Sequence, residues 1–584
     1  MIERICRVSG EKFEITKEDL EFYMKMDVVT KEQLETLTSL QVGRSASINE
    51  ADIPAELLVG LPTLCPTERQ RRRLASINQR VLHKNSCSET HKSLISNYSP
   101  ESGIPVVSIS HWYSDDFDGL KTGRSFDFSR PFFEQFSALN KVSARPNLMN
   151  TPSFDENSAY THHCGKSKNC YLLVDSDFNR DCAYSTSLNN CENVYDSFRV
   201  DKSELGYENI DCQNCYDSKF LQNSQNCSNS WFLKNCIGCN NCFGCVNLRN
   251  KEYYFLNQKC SPAEYQQKID LLLLTRHSSV AGLREKFQDY CQQFPYKFME
   301  GRQNEGVLGN YLTNCKNALY CYDSRNQHDC KYVYQGFETA RDVQDCMEIG
   351  VNAELLYECS TCGYDVQNLR FSLYCFEQSS KLDYCNYCWS CKDCFGCVGL
   401  RKKQYCILNK QYTQEEYEML VPQIIEHMKK TGEWGEYFPV NISSFAYNES
   451  VANEYFPLTK EMAVAQNYQW KEDVVTTKYK GEMYQIPDDI ADVSDEIVTK
   501  ILQCERSGKL YKIQKAELRF YRKMNLPIPR LHPDERHKDR MALRNPRALW
   551  KRTCGDCGCE IQTTFAPDRP EKILCESCYL QVVD

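Results

Sequence analysis

The chain has 584 residues, 35 of them cysteine, and a formal net charge of −9. That length calls for several domains, and cysteine at about 6% is below a small disulfide scaffold yet far above ordinary usage. The opening MIERICRVSGEKFE has no apolar h-region and apolar runs such as Leu271–Leu274 are short, so neither a signal peptide nor a membrane-spanning helix is expected. An odd number of thiols in such a chain reads as cytoplasmic thiol or metal chemistry.

Residues 1–113 form the first expected domain, and their ends recur at the other end of the chain. Cys6, Ser9, Gly10, Phe22, Tyr23 and Met26 return as Cys504, Ser507, Gly508, Phe520, Tyr521 and Met524, an offset of 498. From Leu64 the offset is 467, where LCPTERQRRRLASINQRVLHKNSC faces LHPDERHKDRMALRNPRALWKRTC. The difference of 31 predicts an insertion within Asp27–Gly60, read as a short helical or mobile segment.

After a connecting segment, 114–163, two cysteine-rich modules follow at 164–260 and 301–410. Cys236, Cys239, Cys242 and Cys245 run into FGCVNLRNKEYYFLN, and 152 residues later Cys388, Cys391, Cys394 and Cys397 run into FGCVGLRKKQYCILN. Within the first module Cys215, Cys227 and Cys239 are 12 apart, as are Asn223, Asn235 and Asn247. Short strands between Asn, Asp, Ser and Gly turns at a fixed period predict a β-solenoid. In the second module the steps loosen at Cys346, Cys359, Cys375 and Cys388. Ser261–Glu264 and Thr413–Glu416 read as capping boxes that open the helical stretches 261–300 and 411–500.

A step of three fits neither a strand nor a helix, so the runs are turn-like. They are a packed cysteine ladder, a zinc site or, on a partial match to a ferredoxin run, an iron–sulfur ligand set. The C-terminal domain, 501–584, carries the stronger metal motif. Cys554 and Cys557, then Cys575 and Cys578, are two knuckles offering four thiolates, the set a structural Zn²⁺ requires. Cys504 and His532 suggest a further half-site, as do Cys6 and Cys65. In the N-terminal copy the thiols at 557, 575 and 578 are replaced by Thr90, Ser108 and His111, a degenerate ribbon.

From Lys509 to Arg552 there are 14 Lys and Arg against 4 Asp and Glu. Arg536, Lys538, Arg540, Arg544, Arg547, Lys551 and Arg552 beside the knuckles are candidate nucleic-acid contacts, with a solvated face as the alternative. No phosphate loop, zinc-protease helix or nucleophile elbow is present, and no catalytic residue is assigned.

The segments GRSFDFSRPFFEQF (123–136), NCFGCVNLRNK (241–251), TGEWGEYFP (431–439), NEYFPLTKEMA (453–463) and HPDERHKDRMALRNPR (532–547) resemble, in that order, uncharacterised cysteine-rich proteins of candidate-phyla-radiation (Patescibacteria-type) bacteria. The resemblance covers nearly the whole chain and implies complete C-x₂-C pairs at the terminal knuckles. This sequence departs from it at Ser9, Glu68, Thr90, Ser108, Ser507 and Glu535.

The expected architecture is multidomain and mainly β: two duplicated β-solenoid-like modules with helical segments, flanked by terminal zinc-ribbon-like domains. The expected role is a non-enzymatic zinc-binding scaffold acting on an unknown protein partner or self-associating through the solenoids. A nucleic-acid-associated zinc-ribbon protein and a metal-cluster or thiol redox protein are the alternatives.

Overall fold

The structure is a computed structural model that describes residues 1–41, 46–150, 155–336, 340–341, 343–345, 347–349, 353–363, 365–472, 481 and 483–583. Contacts divide the chain into two compact units. One comprises Met1–Asn147, Met299–Lys471 and Arg547–Leu549, and the other Leu148–Phe298, Glu472–Pro546 and Trp550–Asp584. The units therefore interleave the linear segments expected from the sequence. The N-terminal domain packs with the second cysteine module, and most of the C-terminal domain packs with the first.

Each module is a β-solenoid, and its geometry explains the three-residue step. In the first module a left-handed residue recurs at every third position, as at Asn169, Leu172, Asp175, Phe178 and Asp181. Each one turns the chain by about a quarter turn, so four three-residue sides close a coil of twelve. The residue after each corner faces the interior: Cys170, Leu173, Ser176, Asn179 and Cys182 are all buried. Asparagine and aspartate crowd the corners because they tolerate left-handed backbone better than other L-residues. Four cysteines at three-residue steps are thus one complete coil, with one thiol on each wall.

Successive coils pair in parallel. Glu192, Glu204, Tyr216, Ser228, Asn240 and Glu252 stack along one wall in twelve-residue register. Corner amides add ladders outside the backbone ones, with Asn157 donating to Asn169 at 2.9 Å and Asn214 to Asn226 at 3.1 Å. Interior serines bridge coils as well. Ser176 donates to the Val174 carbonyl at 2.7 Å and accepts from the Leu188 N–H at 3.0 Å.

The second solenoid mixes coil lengths. Leu356, Leu369 and Leu382 pair at thirteen-residue steps, and Leu382, Cys394 and Cys406 at twelve. The extra residue accounts for the loosened spacing. Its thiol columns run Cys359–Ser372–Cys385–Cys397 and Cys362–Cys375–Cys388, a register the spacing Cys359–Cys375 had obscured; Cys346 lies outside the described residues. Both modules end in an antiparallel hairpin followed by a helix, Pro262–Asp270 or Gln414–Thr431, and each helix opens with the expected reciprocal capping box. The insertion within Asp27–Gly60 includes a helix, Lys31–Gln41.

Candidate metal centre

The C-terminal thiols come from two local structures. A hairpin of strands Trp550–Thr553 and Glu560–Thr563 carries the first pair at its tip. There the Cys554 N–H donates to the Cys559 carbonyl at 2.8 Å and the Gly558 N–H to the Cys554 carbonyl at 3.1 Å, a turn closed by Gly558 at φ +75°. The second pair brackets the start of helix Glu576–Val583. The Cys575 N–H donates to Cys554 Sγ at 3.3 Å and joins the two halves.

Cys554, Cys557, Cys575 and Cys578 place their sulfurs all within 4.8 Å of one another. Cys557 and Cys575 are 3.8 Å apart, the edge of a sulfur tetrahedron about an ion with Zn–S bonds of about 2.3 Å. The Cys575 thiol is drawn down to about 6, first by the Ser577 hydroxyl and then by the Cys578 N–H, which prepares a thiolate ligand. Four thiols at these separations can hold a metal ion, and such closed coordination would add folding energy and leave no open catalytic position. Cys559, absent from the sequence-derived set, is an exposed fifth thiol beside Cys557 and Cys575.

The same turn occurs at three other hairpins. Cys6 N–H donates to the Glu11 carbonyl at 2.8 Å, Cys87 to Lys92 at 2.9 Å and Cys504 to Lys509 at 2.9 Å. Each faces a helix start: Cys65 caps Pro66–Leu74, Ser108 caps Ile109–Tyr113 and His532 caps Pro533–Ala542. Ser9 lies 3.8 Å from Cys65 Sγ, and Ser507 donates its N–H to Cys504 Sγ at 3.4 Å. The Cys504 thiol meets the backbone N–H of His532, while the His532 ring accepts from the Asp534 N–H at 3.2 Å as the helix cap. Among the described residues, however, only the Cys554–Cys578 tetrad gathers three or more metal-ligating groups within 4.8 Å.

The two cysteine runs are placed differently. Cys236, Cys239, Cys242 and Cys245, like Cys388, Cys391, Cys394 and Cys397, are fully buried. Neither run gathers a compact ligand set, because its thiols stand on four separate walls of the coil. Each thiol has carbonyl acceptors as well as neighbouring thiols: Cys242 lies 3.3 Å from Asn240 O and 3.5 Å from Lys251 O, Cys397 lies 3.5 Å from Phe395 O and 3.3 Å from Cys406 O, and Cys239 meets the Cys227, Cys236 and Cys242 thiols. Burial drives the Cys236 and Cys388 thiols well above the usual range. The arrangement is that of small interior fillers that also satisfy hydrogen bonds.

The basic segment requires a correction. Arg536, Arg540, Arg544 and Arg547 are buried in ion pairs, so their guanidinium groups do not face solvent. Arg540 lies 3.1 Å from Asp196 and 3.5 Å from Glu208, Arg536 also pairs with Asp196, and Arg544 lies 2.8 Å from Asp211. Arg547, in the other unit, lies 2.7 Å from Asp323. Lys538 and Lys551 are exposed, and Arg552 donates to the Ala566 carbonyl at 3.2 Å.

The N-terminal unit repeats this clamp. Arg69 lies 2.6 Å from Asp345, Arg73 lies 3.4 Å from Asp345 and 3.7 Å from Glu358, and Arg72 lies 2.8 Å from Glu358. In both units arginines at i and i+4 on one helix meet carboxylates one coil apart at left-handed corners, Asp196 and Glu208 or Asp345 and Glu358. Helical neighbours at about 5–6 Å match strand spacing of about 4.8 Å, which fits the two periodicities together. The sequence signal was there: acidic pairs at 12 and 13 residues, the coil lengths.

His162, His163, Cys164 and Cys170 lie at the start of the first solenoid. His163 lies 3.1 Å from Asp175. No family model matches the chain. Comparison with curated proteins gives no match either.

Proposed function

We propose that the protein is a non-enzymatic, zinc-binding scaffold or interaction protein of the cytoplasm, with one zinc at Cys554, Cys557, Cys575 and Cys578. The observation that carries this reading is a contrast. Four hairpin knuckles share one backbone geometry, and one of them retains four clustered thiols. Three knuckles keep their fold with other side chains, so the motif serves as architecture, and the metal at the fourth closes a domain edge. In this reading the chain is a duplicated unit, and the three altered knuckles are degenerate zinc ribbons.

The placement of the ribbon supports a structural role. Tyr579, on the helix that starts at the tetrad, donates its hydroxyl to Asn247 at 2.9 Å and accepts from Asn235, two rungs of a corner ladder. Tyr296–Lys297 also pairs in parallel with Ile573–Leu574 beside Cys575. Metal binding would therefore fix the ribbon against the coil that holds the first cysteine run. Burial of thiols throughout both solenoids fits a reducing compartment.

Elemental analysis of protein purified without added metal tests the reading. One zinc per chain, lost in Cys575→Ser together with a lowered melting temperature, is expected. Zero zinc in protein folded with intact thiols, or three or more per chain, would refute the single structural site.

A further inference from the structure

One cleft of the N-terminal unit stands apart from the metal centre. It has a volume of about 420 Å³, within the roughly 300–1,000 Å³ of small-ligand sites. Its floor includes Glu68, Arg72 and Tyr468, all buried, and its rim includes Arg7, Asn441 and Asn467, all exposed.

The polar groups here are incompletely used. Arg72 is held by Glu436 at 2.9 Å and Glu358 at 2.8 Å through its terminal nitrogens, while its buried Nε has no hydrogen-bond partner. Glu68 has one ion-pair partner among the described residues, Arg71 at 3.1 Å. The side-chain amides of Asn441 and Asn467 and the Tyr468 hydroxyl bond to no protein group among the described residues.

The internal correspondence sharpens this point. At the offset of 467, Glu68 matches Glu535 and Arg71 matches Lys538, and at 498 Val8 matches Arg506. Glu535 is paired by Lys538 at 2.8 Å and approached by Arg506 at 3.6 Å, and Arg506 also pairs with Asp539 at 2.6 Å. In the N-terminal copy Val8 replaces the capping arginine and Arg72 replaces Asp539. The carboxylate is buried in both copies, Glu68 as well as Glu535, but in the N-terminal copy it lacks the second cation and lines a hollow.

We propose that this cleft binds a small neutral saccharide, with Glu68 accepting from sugar hydroxyls, the Asn441 and Asn467 amides bonding others, and Tyr468 closing the floor. Charge balance selects the ligand class. Each charged lining residue is already paired within the protein: Arg7 lies 3.4 Å from Glu436, Arg72 lies 2.9 Å from Glu436 and 2.8 Å from Glu358, and Glu68 lies 3.1 Å from Arg71. An ion of either sign would therefore meet an opposing like charge, whereas hydroxyls both donate and accept and can use every group present.

The test is calorimetric titration of the full chain with glucose, galactose, N-acetylglucosamine and maltose, with glucose 6-phosphate as the charged control. One neutral sugar should saturate at one per chain and bind more tightly than the phosphate. Glu68→Gln and Asn467→Gly should each weaken it at least about tenfold, roughly 1.4 kcal/mol. Asn467 has φ +63°, so glycine removes the amide while suiting the backbone, and this exposed rim variant keeps the test decisive if Glu68→Gln fails to fold. Absence of saturable binding by every sugar up to roughly 10 mM, or unchanged affinity in the folded variants, would overturn the proposal.

Discussion

Replacing Arg540 by methionine tests whether the basic helix is an internal clamp. The Arg540 side chain is 1% exposed. It contacts Asp196 at 3.1 Å and Glu208 at 3.5 Å, and donates to the Tyr184 carbonyl at 3.2 Å. Removing one partner of a buried pair costs about 3–5 kcal/mol, because the orphaned charge stays in a dry site. Here the loss is moderated, since Asp196 keeps Arg536 and Glu208 keeps Arg284 at 3.5 Å. Methionine also preserves the apolar stem's packing. The expected cost is therefore at the low end, about 3 kcal/mol, or roughly 6–12 °C in melting temperature for a domain of this size. Lys538→Ala removes an exposed lysine from the buried Glu535 on the same helix and should cost only about 1 kcal/mol, since Arg506 still approaches Glu535 at 3.6 Å. Denaturant unfolding by circular dichroism measures both. Equal small effects, with Arg540→Met within about 0.5 kcal/mol of wild type, would refute the clamp and return the helix to the surface as a nucleic-acid candidate.

Three further outcomes are expected. In metal-free native protein a thiol reagent should modify Cys557, Cys559 and Cys575 rapidly and the solenoid cysteines only on unfolding, as mass-mapped labelling would show; fast reaction at Cys239 or Cys391 would contradict the buried ladder. Loading the protein with Zn²⁺ should protect Cys557 and Cys575 and leave Cys559 reactive, so protection of Cys559 instead would assign it as a ligand. The Asp177 carboxyl is raised to about 6, chiefly by burial, with His163 opposing and Asp175 reinforcing. Its folded value exceeds its unfolded one of about 3.9, so the folded state binds the extra proton and stability falls as pH rises from about 4 to about 6. Asp177→Asn should flatten that part of the pH–stability curve and stabilise the protein by about 1–2 kcal/mol at pH 7, whereas an unchanged profile would place the dependence elsewhere.

Much of this architecture was legible in the sequence. The twelve-residue period of Cys215, Cys227 and Cys239 marks coils, because interior positions recur once per turn on each wall. The capping boxes at Ser261 and Thr413 are local, set by hydrogen bonds three residues apart, so no distant contact was needed to read them. The tetrad was legible for the same reason, since two turns each fix two thiols by backbone geometry alone. The three-residue runs were harder. Their meaning depends on a left-handed corner after every second ordinary residue, a conformation that Asn235, Gly238, Asn241 and Gly244 permit without dictating and that Tyr387 and Ser390 do not announce at all.

Spacing along the chain determined the solenoids, the helix starts and the two knuckles of the thiol tetrad, because each arises from residues within a turn or one coil of each other. Tertiary structure alone decided what the charged residues do. Arg540 and Asp196 lie 344 positions apart and Arg69 and Asp345 lie 276, and whether such a pair meets depends on how helix and solenoid dock. Local sequence carries no record of that docking. A run of arginines therefore reads as a surface until the carboxylates at the coil corners are set against it.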